Sequence, residues 1–294
     1  MEGQRFYEKK KRALEDFCNI CGEKKRLTYD HIPPKCCFNS FKSVPLDIFS
    51  LKLIKDRKCS QNGVKHRSIC AECNNGILGK YDKEFELFIQ KVKNVLVQSE
   101  SPKGVIMITT RINRLVRSIC GHFLSMKAEY YAPLVPDRLI RDFIRNENMK
   151  RPEGLKMLTW YYPYSTVFSI SDFTVLSTSP TQNLPCDGMV SALSSFPLAF
   201  LIKDGEKDCG LVDLFDYCTE NFEEEVEIPI DLDSCYFKGT DVLRDPRWPC
   251  NITNDDFGAP GILTSKNTVS NSVLAARDPE EIKRNAYTVR IKNK

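Results

Sequence analysis

Two Cys-x-x-Cys pairs constrain this chain more than any other feature of its sequence. The first pair is Cys18 and Cys21, and the second is Cys70 and Cys73. Because two intervening residues let both thiolates of a pair point at one ion, each pair can supply half of a tetrahedral zinc site. Four sulfurs close the tetrahedron and leave no open position, which is typical of structural zinc. The sequence therefore predicts a Zn²⁺ ion that joins two distant segments, with any chemistry placed between them.

The remaining cysteines do not follow a metal-binding spacing. The chain has 13 cysteines in all, and its charged N-terminal stretch MEGQRFYEKKKRALEDF lacks the pattern of a secretory signal. Reduced thiols are then favoured over a disulfide framework, and we expect the other cysteines to pack as small apolar side chains. No apolar run approaches the roughly 20 residues that span a bilayer. We expect a cytoplasmic protein without membrane contact.

Charge is distributed unevenly along the 294 residues. Residues 1–100 carry 20 Lys and Arg against 13 Asp and Glu, whereas the rest carries 23 against 26. A positive bias in the first third is expected of a surface that binds phosphate, although a solvated Lys-rich face would give the same count. We place a basic domain at 1–100 and a second domain at 101–294, with the boundary in the stretch SESPKG.

The pattern of apolar residues predicts the elements of the first domain. We expect an amphipathic helix over 5–16, a strand over LTYDHI that ends before Pro33, and a substrate-contacting or merely flexible insert over 35–67. Apolar residues at three- and four-residue spacing predict a helix over 78–98. Two further helical stretches are expected over about 105–131 and after Pro136.

The second half of the chain has a different pattern. Short β-branched and aromatic runs, separated by Pro, Gly, Asp and Ser, predict an antiparallel sheet in a mixed α+β unit. These runs are LKMLTWYY, TVFSI, GMVSAL, FPLAFLI and EVEIPI. Regulation, sensing and oligomerisation all stay open as roles for this domain.

An Asp30-His31 pair lies between the two cysteine pairs, and Asn74-Asn75 follows the last cysteine. With the segments DHIPPK and CAECNNG, this order resembles the HNH endonucleases over about residues 14–85. The resemblance implies an N-terminal ββα-metal nuclease core stapled by Zn²⁺, within an overall α+β fold. It further implies that His31 is the general base that activates water, a task that suits an imidazole pKa near 6.5. Asp30 and Asn74 would bind a catalytic Mg²⁺ or Mn²⁺.

The middle Asn of the family's name has no clear equivalent in this chain. Lys65 and His66 stand nearest to its place before the third cysteine, with Asn62 further away. His66 could orient a backbone loop or bind metal, and contact with phosphate or with nothing is an equal alternative.

Several neighbouring residues have both a functional and a structural interpretation. Lys35 is well placed to meet a phosphate, but a solvated lysine is an equally good interpretation. Asn75 could bind metal or cap the following helix. Asp82 and Glu84 could approach the metal, but the helix dipole favours acidic residues near a helix start in any case. We expect His122 to be structural.

The expected function is a metal-dependent endonuclease that hydrolyses DNA phosphodiester bonds. The resemblance also implies a role in antiphage defence or in a mobile element, alone or with an ATPase partner, and a homo-oligomer is a further alternative. A different class stays open as well, namely a non-enzymatic zinc-stapled module that binds nucleic acid or protein.

Overall fold

The computed structural model describes residues 12–37, 39, 43–45, 62–98, 103–132, 134–164, 166–176, 188–205, 210–233, 261–263 and 273–277. Within these ranges the strands are β1 Glu15–Phe17, β2 Lys24–His31, β3 Ser43–Pro45, β4 Lys65–Cys70, β5 Val105–Thr110, β6 Leu155–Tyr161, β7 Thr166–Leu176, β8 Gly188–Ser195, β9 Leu198–Asp204, β10 Val212–Asp213, β11 Val226–Asp231, β12 Gly261–Leu263 and β13 Val273–Arg277. The α-helices are α1 Gly79–Gln98, α2 Ile112–Ser125 and α3 Val135–Arg145. The protein is therefore a mixed α+β fold, as the sequence predicts.

The strands form three antiparallel sheets. A small sheet has the order β1-β2-β4, and a ribbon pairs β5 with β11. The large sheet has the order β10-β6-β9-β8-β7-β13-β3, with β12 paired to β7. The predicted C-terminal antiparallel sheet is thus present, except that the run EVEIPI forms β11 and pairs with β5 rather than with the other runs.

Helix α1 confirms the expected apolar face. Its buried side chains include Tyr81, Phe85, Phe88, Ile89, Val92 and Leu96, which recur at three- and four-residue spacing. Their face packs into one hydrophobic core that contains residues from the small sheet, the helices and the large sheet. Phe85 of α1, for example, meets Phe200 of β9 edge to face at 5.4 Å between ring centroids. The division into two domains at residue 100 stays a prediction, and one core crosses that position.

Helix α2 is buried on nearly all sides, which is the pattern of a central helix. Gly121 allows its close approach to the start of α1, since a Cβ at this position would lie 1.9 Å from the Leu78 side chain. Arg117 of α2 is fully buried and donates hydrogen bonds to the carbonyls of Asn146 and Met149, just after α3. The three helices are therefore locked together by packing and by polar contacts.

Two predicted helices differ from the structure. Residues 12–14 are not helical and Glu15–Phe17 form β1, because pairing with β2 satisfies the backbone there. The predicted helix over 5–16 is therefore wrong over its described part, and residues 1–11 lie outside the described residues. In the stretch 105–131, residues Val105–Thr110 form β5 and only Ile112–Ser125 are helical. The run VIMITT is rich in β-branched residues, and its pairing with β11 decides its conformation.

The insert over 35–67 is described only at its two ends, at residue 39 and at residues 43–45. Residues Lys35–Cys37 form a 3₁₀ turn, Ser43–Pro45 form β3 at the edge of the large sheet, and β4 begins at Lys65. The substrate-contacting role that we predict for the insert falls mainly on residues outside the described ranges. Among the described helices, none is long and apolar enough to cross a membrane.

Candidate functional site

The four cysteines of the two Cys-x-x-Cys pairs come together. The Sγ atoms of Cys18, Cys21, Cys70 and Cys73 all lie within 4.8 Å of one another. Cys18 and Cys21 lie in the turn between β1 and β2, Cys70 ends β4, and Cys73 lies in the π-helical stretch Glu72–Leu78 that leads into α1. The arrangement can hold a metal ion, and thiolate ligands in a closed set of four fit a structural zinc.

The electrostatics of this cluster favour a thiolate. A hydrogen bond from Cys73 lowers the pKa of Cys18 to about 5, and the backbone N–H of Cys70 donates to the Cys18 Sγ at 3.3 Å. Burial raises the pKa of Cys70 to about 11. Because buried thiols crowd around one thiolate, a bound cation would lower the pKa of every member of the cluster.

The turn between Cys18 and Cys21 also fixes the C-terminus of α2. The last carbonyls of a helix have no partner within the helix and must find one elsewhere. The Asn19 amide donates to the carbonyls of Leu124 and Lys127, both at 2.9 Å. Ser68 of β4 donates to the carbonyl of Ser125 in the same turn. The cysteine cluster and α2 are thus joined by buried hydrogen bonds.

The pairing of β2 with β4 sorts the candidate residues onto two faces. Tyr29 lies opposite Arg67, Asp30 opposite His66, and His31 opposite Lys65. Opposed residues share a face of the hairpin, and successive residues alternate between faces. Asp30 and His66 are buried on the inner face, whereas Tyr29 is exposed and His31 is half-buried on the outer face.

A β-bulge lies in β4 directly beside these pairs. The register shifts between Thr28 and Tyr29, and Ser68 is the additional residue on the opposite strand. Such a bulge re-aims the side chains that follow it, a role often found beside active sites. The bulge belongs to β4, and beyond it His66 lies opposite Asp30 and Lys65 lies opposite His31.

His31 is held neutral by its surroundings. Burial lowers its pKa below the usual 6.5, and the nearby charges of Lys65 and Lys35 lower it further. The Asn62 side chain hydrogen-bonds to the ring and acts in the opposite direction. The Nε2 atom of His31 is shielded from solvent and has no hydrogen-bond partner among the residues that the structure describes. A buried polar atom without a partner is uncommon and is often explained by a catalytic role or by a water or ion.

Asp30 has an unexpected partner from outside the hairpin. Its Oδ2 lies 3.1 Å from Nδ1 of His122, and Nε2 of the same ring lies 3.2 Å from Oδ1 of Asp82. Ser118 donates to that Asp82 oxygen at 2.6 Å. Although full burial opposes a charged ring, the two carboxylates raise the pKa of His122 well above 6.5. The result is a chain of hydrogen bonds, buried at Asp30 and His122 and half-buried at Asp82, that joins β2, α2 and α1.

Asn74 lies in the π-helical stretch Glu72–Leu78, which leads into α1. Its Nδ2 donates to Thr28 Oγ1 at 3.1 Å and to the carbonyl of Tyr29 at 3.3 Å, directly before Asp30. Within the described ranges, its Oδ1 and the second oxygen of Asp30 have no hydrogen-bond partner. A carboxylate oxygen and an amide oxygen are both types of ligand that Mg²⁺ accepts.

The other candidate residues have less central positions. Lys35 is exposed at the start of the 3₁₀ turn, and Asn75 is exposed within the π-helical stretch, which has Ala71 rather than an asparagine at its N-cap. His66 is buried on a strand and not in an open basic loop. Glu84 accepts hydrogen bonds from Thr110 and Arg111 and thereby joins α1 to the start of α2.

The sequence alone indicates no site role for His122 and only a minor one for Asn62. His122 is far from the cysteine segment in sequence, and its surroundings RSICGHFL are those of a buried helix. A polar residue in the middle of an otherwise buried helix was the one available signal, since buried polar groups require partners. Asn62 stands three residues before Lys65, and only the pairing of Lys65 with His31 shows that it is near the ring.

Comparison with known proteins adds no identification. No protein-family model, no curated protein and no solved structure matches this chain.

Proposed function

We propose that the chain is a metal-dependent endonuclease that hydrolyses DNA phosphodiester bonds and leaves 5′-phosphate and 3′-hydroxyl ends. The observation that carries the proposal is the arrangement of His31, Asp30 and Asn74. The first two residues are neighbours on β2, and Asn74 reaches the same strand from the start of the following helix. Two antiparallel strands followed by a helix are the order of elements in a ββα-metal core, which supports the resemblance to the HNH endonucleases.

His31 would act as the general base. Its lowered pKa keeps the ring neutral near pH 7, so that it can accept a proton from the water that attacks phosphorus. Asp30 and Asn74 would hold the divalent ion through their oxygens. When bound there, the ion would offset negative charge on the leaving 3′ oxygen. The Cys18, Cys21, Cys70 and Cys73 cluster would hold the two segments in place through Zn²⁺.

The outer face of the hairpin fits the backbone of a nucleic acid. It presents Lys65 and Arg67 on the same side as His31. The Arg67 guanidinium lies 4.5 Å from the centroid of the Tyr29 ring and donates to the Tyr29 hydroxyl at 3.0 Å. Because these contacts already restrict the Arg67 side chain, less conformational entropy would be lost when its guanidinium binds a phosphate. We propose that this face contacts phosphates beside the scissile bond.

A zinc-stapled binding module without activity is the second candidate, and the cysteine cluster alone favours it. Cleavage of supercoiled plasmid in Mg²⁺, in Mn²⁺ or without added divalent ion, with wild type beside His31→Ala, separates the two. We expect divalent-dependent nicking or linearisation, lowered about 10²- to 10⁴-fold in the variant because a general base is lost. Both proteins should contain one zinc by elemental analysis.

The variant, purified in the same way, also controls for contaminating nucleases. Equal cutting by both proteins would refute the assignment of His31 as the general base. A zinc-loaded wild type that binds DNA and cuts none in any divalent ion would favour the binding module.

A further inference from the structure

We propose that His122 is a positioning residue of the metal centre: it fixes the Asp30 carboxylate through Oδ2 and leaves the second oxygen free to bind a divalent ion. The inference rests on the proposed function in one respect, because it takes Asp30 as a metal ligand. It adds a residue from α2, outside the hairpin and helix that carry the resemblance to the HNH endonucleases.

The contacts of His122 allow it to position Asp30 but do not allow it to bind the metal itself. Both ring nitrogens of His122 are engaged, Nδ1 with Asp30 at 3.1 Å and Nε2 with Asp82 at 3.2 Å. Neither nitrogen is then available to an ion. The ring is also fully buried, so it cannot meet substrate. What it can do is hold a carboxylate that is itself only 8% exposed.

Several independent contacts fix the position of His122. Gly121 brings this turn of α2 against Leu78, where any larger residue would clash. Asn19 and Ser68 hold the C-terminal carbonyls of the same helix from the side of the cysteine cluster. Asp82, itself held by Ser118, fixes the far side of the ring. The last turn of α2 is thus fixed between the cysteine cluster and α1, and the fully buried His122 ring of this turn holds Asp30.

The consequence for metal binding follows from outer-shell chemistry. A carboxylate ligand that is hydrogen-bonded through one oxygen has a fixed plane, and loss of such a partner commonly costs 10- to 100-fold in metal affinity or activity. Among the residues described, the Asp30 carboxylate has no hydrogen-bond partner other than His122. His122 is therefore the contact whose loss would release the carboxylate.

Two amide variants test the inference because they keep different halves of the ring's contacts. The amide of His122→Asn lies about as far along the side chain as Nδ1 and can donate to Asp30. The amide of His122→Gln lies about as far as Nε2 and can donate to Asp82 instead. Both remove the same ring from the same core, so their structural costs are similar. Binding of Mn²⁺ is measured by electron paramagnetic resonance on the zinc-loaded full chain without DNA, and the Asp30→Asn variant defines the Asp30-dependent part.

We expect His122→Asn to bind Mn²⁺ nearly as well as wild type, and His122→Gln to bind it about 10- to 100-fold more weakly. Equal affinity in wild type and both variants would overturn the inference, and so would an equal loss in both. If neither variant folds, the ring resonances of His122 in the wild type decide the matter. They should shift on addition of Mg²⁺, and unchanged resonances at saturating Mg²⁺ would overturn the proposal.

The outcome is separable from that of the nuclease proposal. A chain whose Mn²⁺ affinity depends on Asp30 and His122 but that cuts no DNA would refute the nuclease and keep the inference. A chain that cuts DNA with His31 and shows unaltered Mn²⁺ affinity in His122→Gln would refute the inference alone. Absence of any Asp30-dependent Mn²⁺ binding in wild type would overturn the inference whatever the chain does to DNA.

Discussion

Asp30 and His31 are adjacent in the chain, yet they lie on opposite faces of the β2–β4 hairpin. One is buried against His122 and the other shares the outer face with Lys65. The pair can thus serve two tasks that need different surroundings. A metal ligand gains from a fixed, hydrogen-bonded carboxylate, whereas a general base needs a ring nitrogen without a partner, such as Nε2 of His31.

The cations near His31 should control its ionisation. Its pKa is lowered by burial and by the charges of Lys65 and Lys35, because each disfavours the imidazolium. Lys65→Gln removes one of these charges, so we expect the pKa of His31 to rise toward 6.5. Below its pKa the ring is protonated and cannot act as a base, so the change should make the ring inactive at a less acidic pH. The chemical shift of the His31 ring against pH, without added divalent ion, measures this.

Lys103→Gln is the matched control for that measurement, since Lys103 is exposed on the chain before β5. It should leave the His31 titration where it is in wild type. A His31 pKa that is equal in the wild type and in Lys65→Gln would contradict the electrostatic account.

The outer face of the β2–β4 hairpin is the predicted substrate surface. Replacing Arg67 by Ala removes one phosphate contact, so the slope of log affinity against log salt should become less negative by about 0.9. The loss should be similar for unrelated DNA sequences, because a phosphate contact carries no sequence information. Binding is measured by fluorescence anisotropy in the His31→Ala background without divalent ion, so that no cutting occurs.

Arg138→Ala serves as the charge-matched control, because Arg138 is exposed on α3. Its salt slope should equal that of the parent protein. If Arg67→Ala and Arg138→Ala give the same slope, the outer face of the hairpin is not the DNA surface.

The elements also show what the sequence can and cannot specify. The face of α1, the strand with Asp30 and the cysteine cluster follow from local patterns and were predictable. Strand β5 was not, because VIMITT lies next to a helical stretch and becomes a strand only by pairing with the distant β11. The contact of His122 with Asp30 joins residues 92 positions apart, and no local periodicity reports such a pair.

For the whole molecule, the main consequence is that the candidate site depends on parts beyond residue 100. His122 belongs to α2, and Phe85 of α1 packs on Phe200 of the large sheet. We therefore expect the fragment 1–100 to lose cooperative unfolding even when zinc is supplied. Its α1 face, with Phe88 and Val92, would be exposed to water at a cost of about 25 cal/mol per Å².

Thermal unfolding followed by circular dichroism, beside binding of an apolar dye, compares the fragment with the full chain. Strong dye binding and a broad transition are expected of the fragment alone. A fragment with one zinc, a sharp transition and no dye binding would show that the core folds by itself, as the predicted boundary at residue 100 implies. The regulatory, sensing or oligomerisation role of residues 101–294 stays a prediction.

The proposed role of His31, to accept the proton of the attacking water, can be tested by chemical rescue. His31→Gly leaves a space for imidazole from solution, and single-turnover cleavage of a DNA duplex in Mg²⁺ is followed with and without it. The account predicts a rate close to zero without imidazole and a rate that rises with the concentration of its neutral form. Asp30→Asn, the matched control, should gain nothing. Cleavage by His31→Gly that equals wild type, or that imidazole leaves unchanged while wild type cuts, would contradict the account.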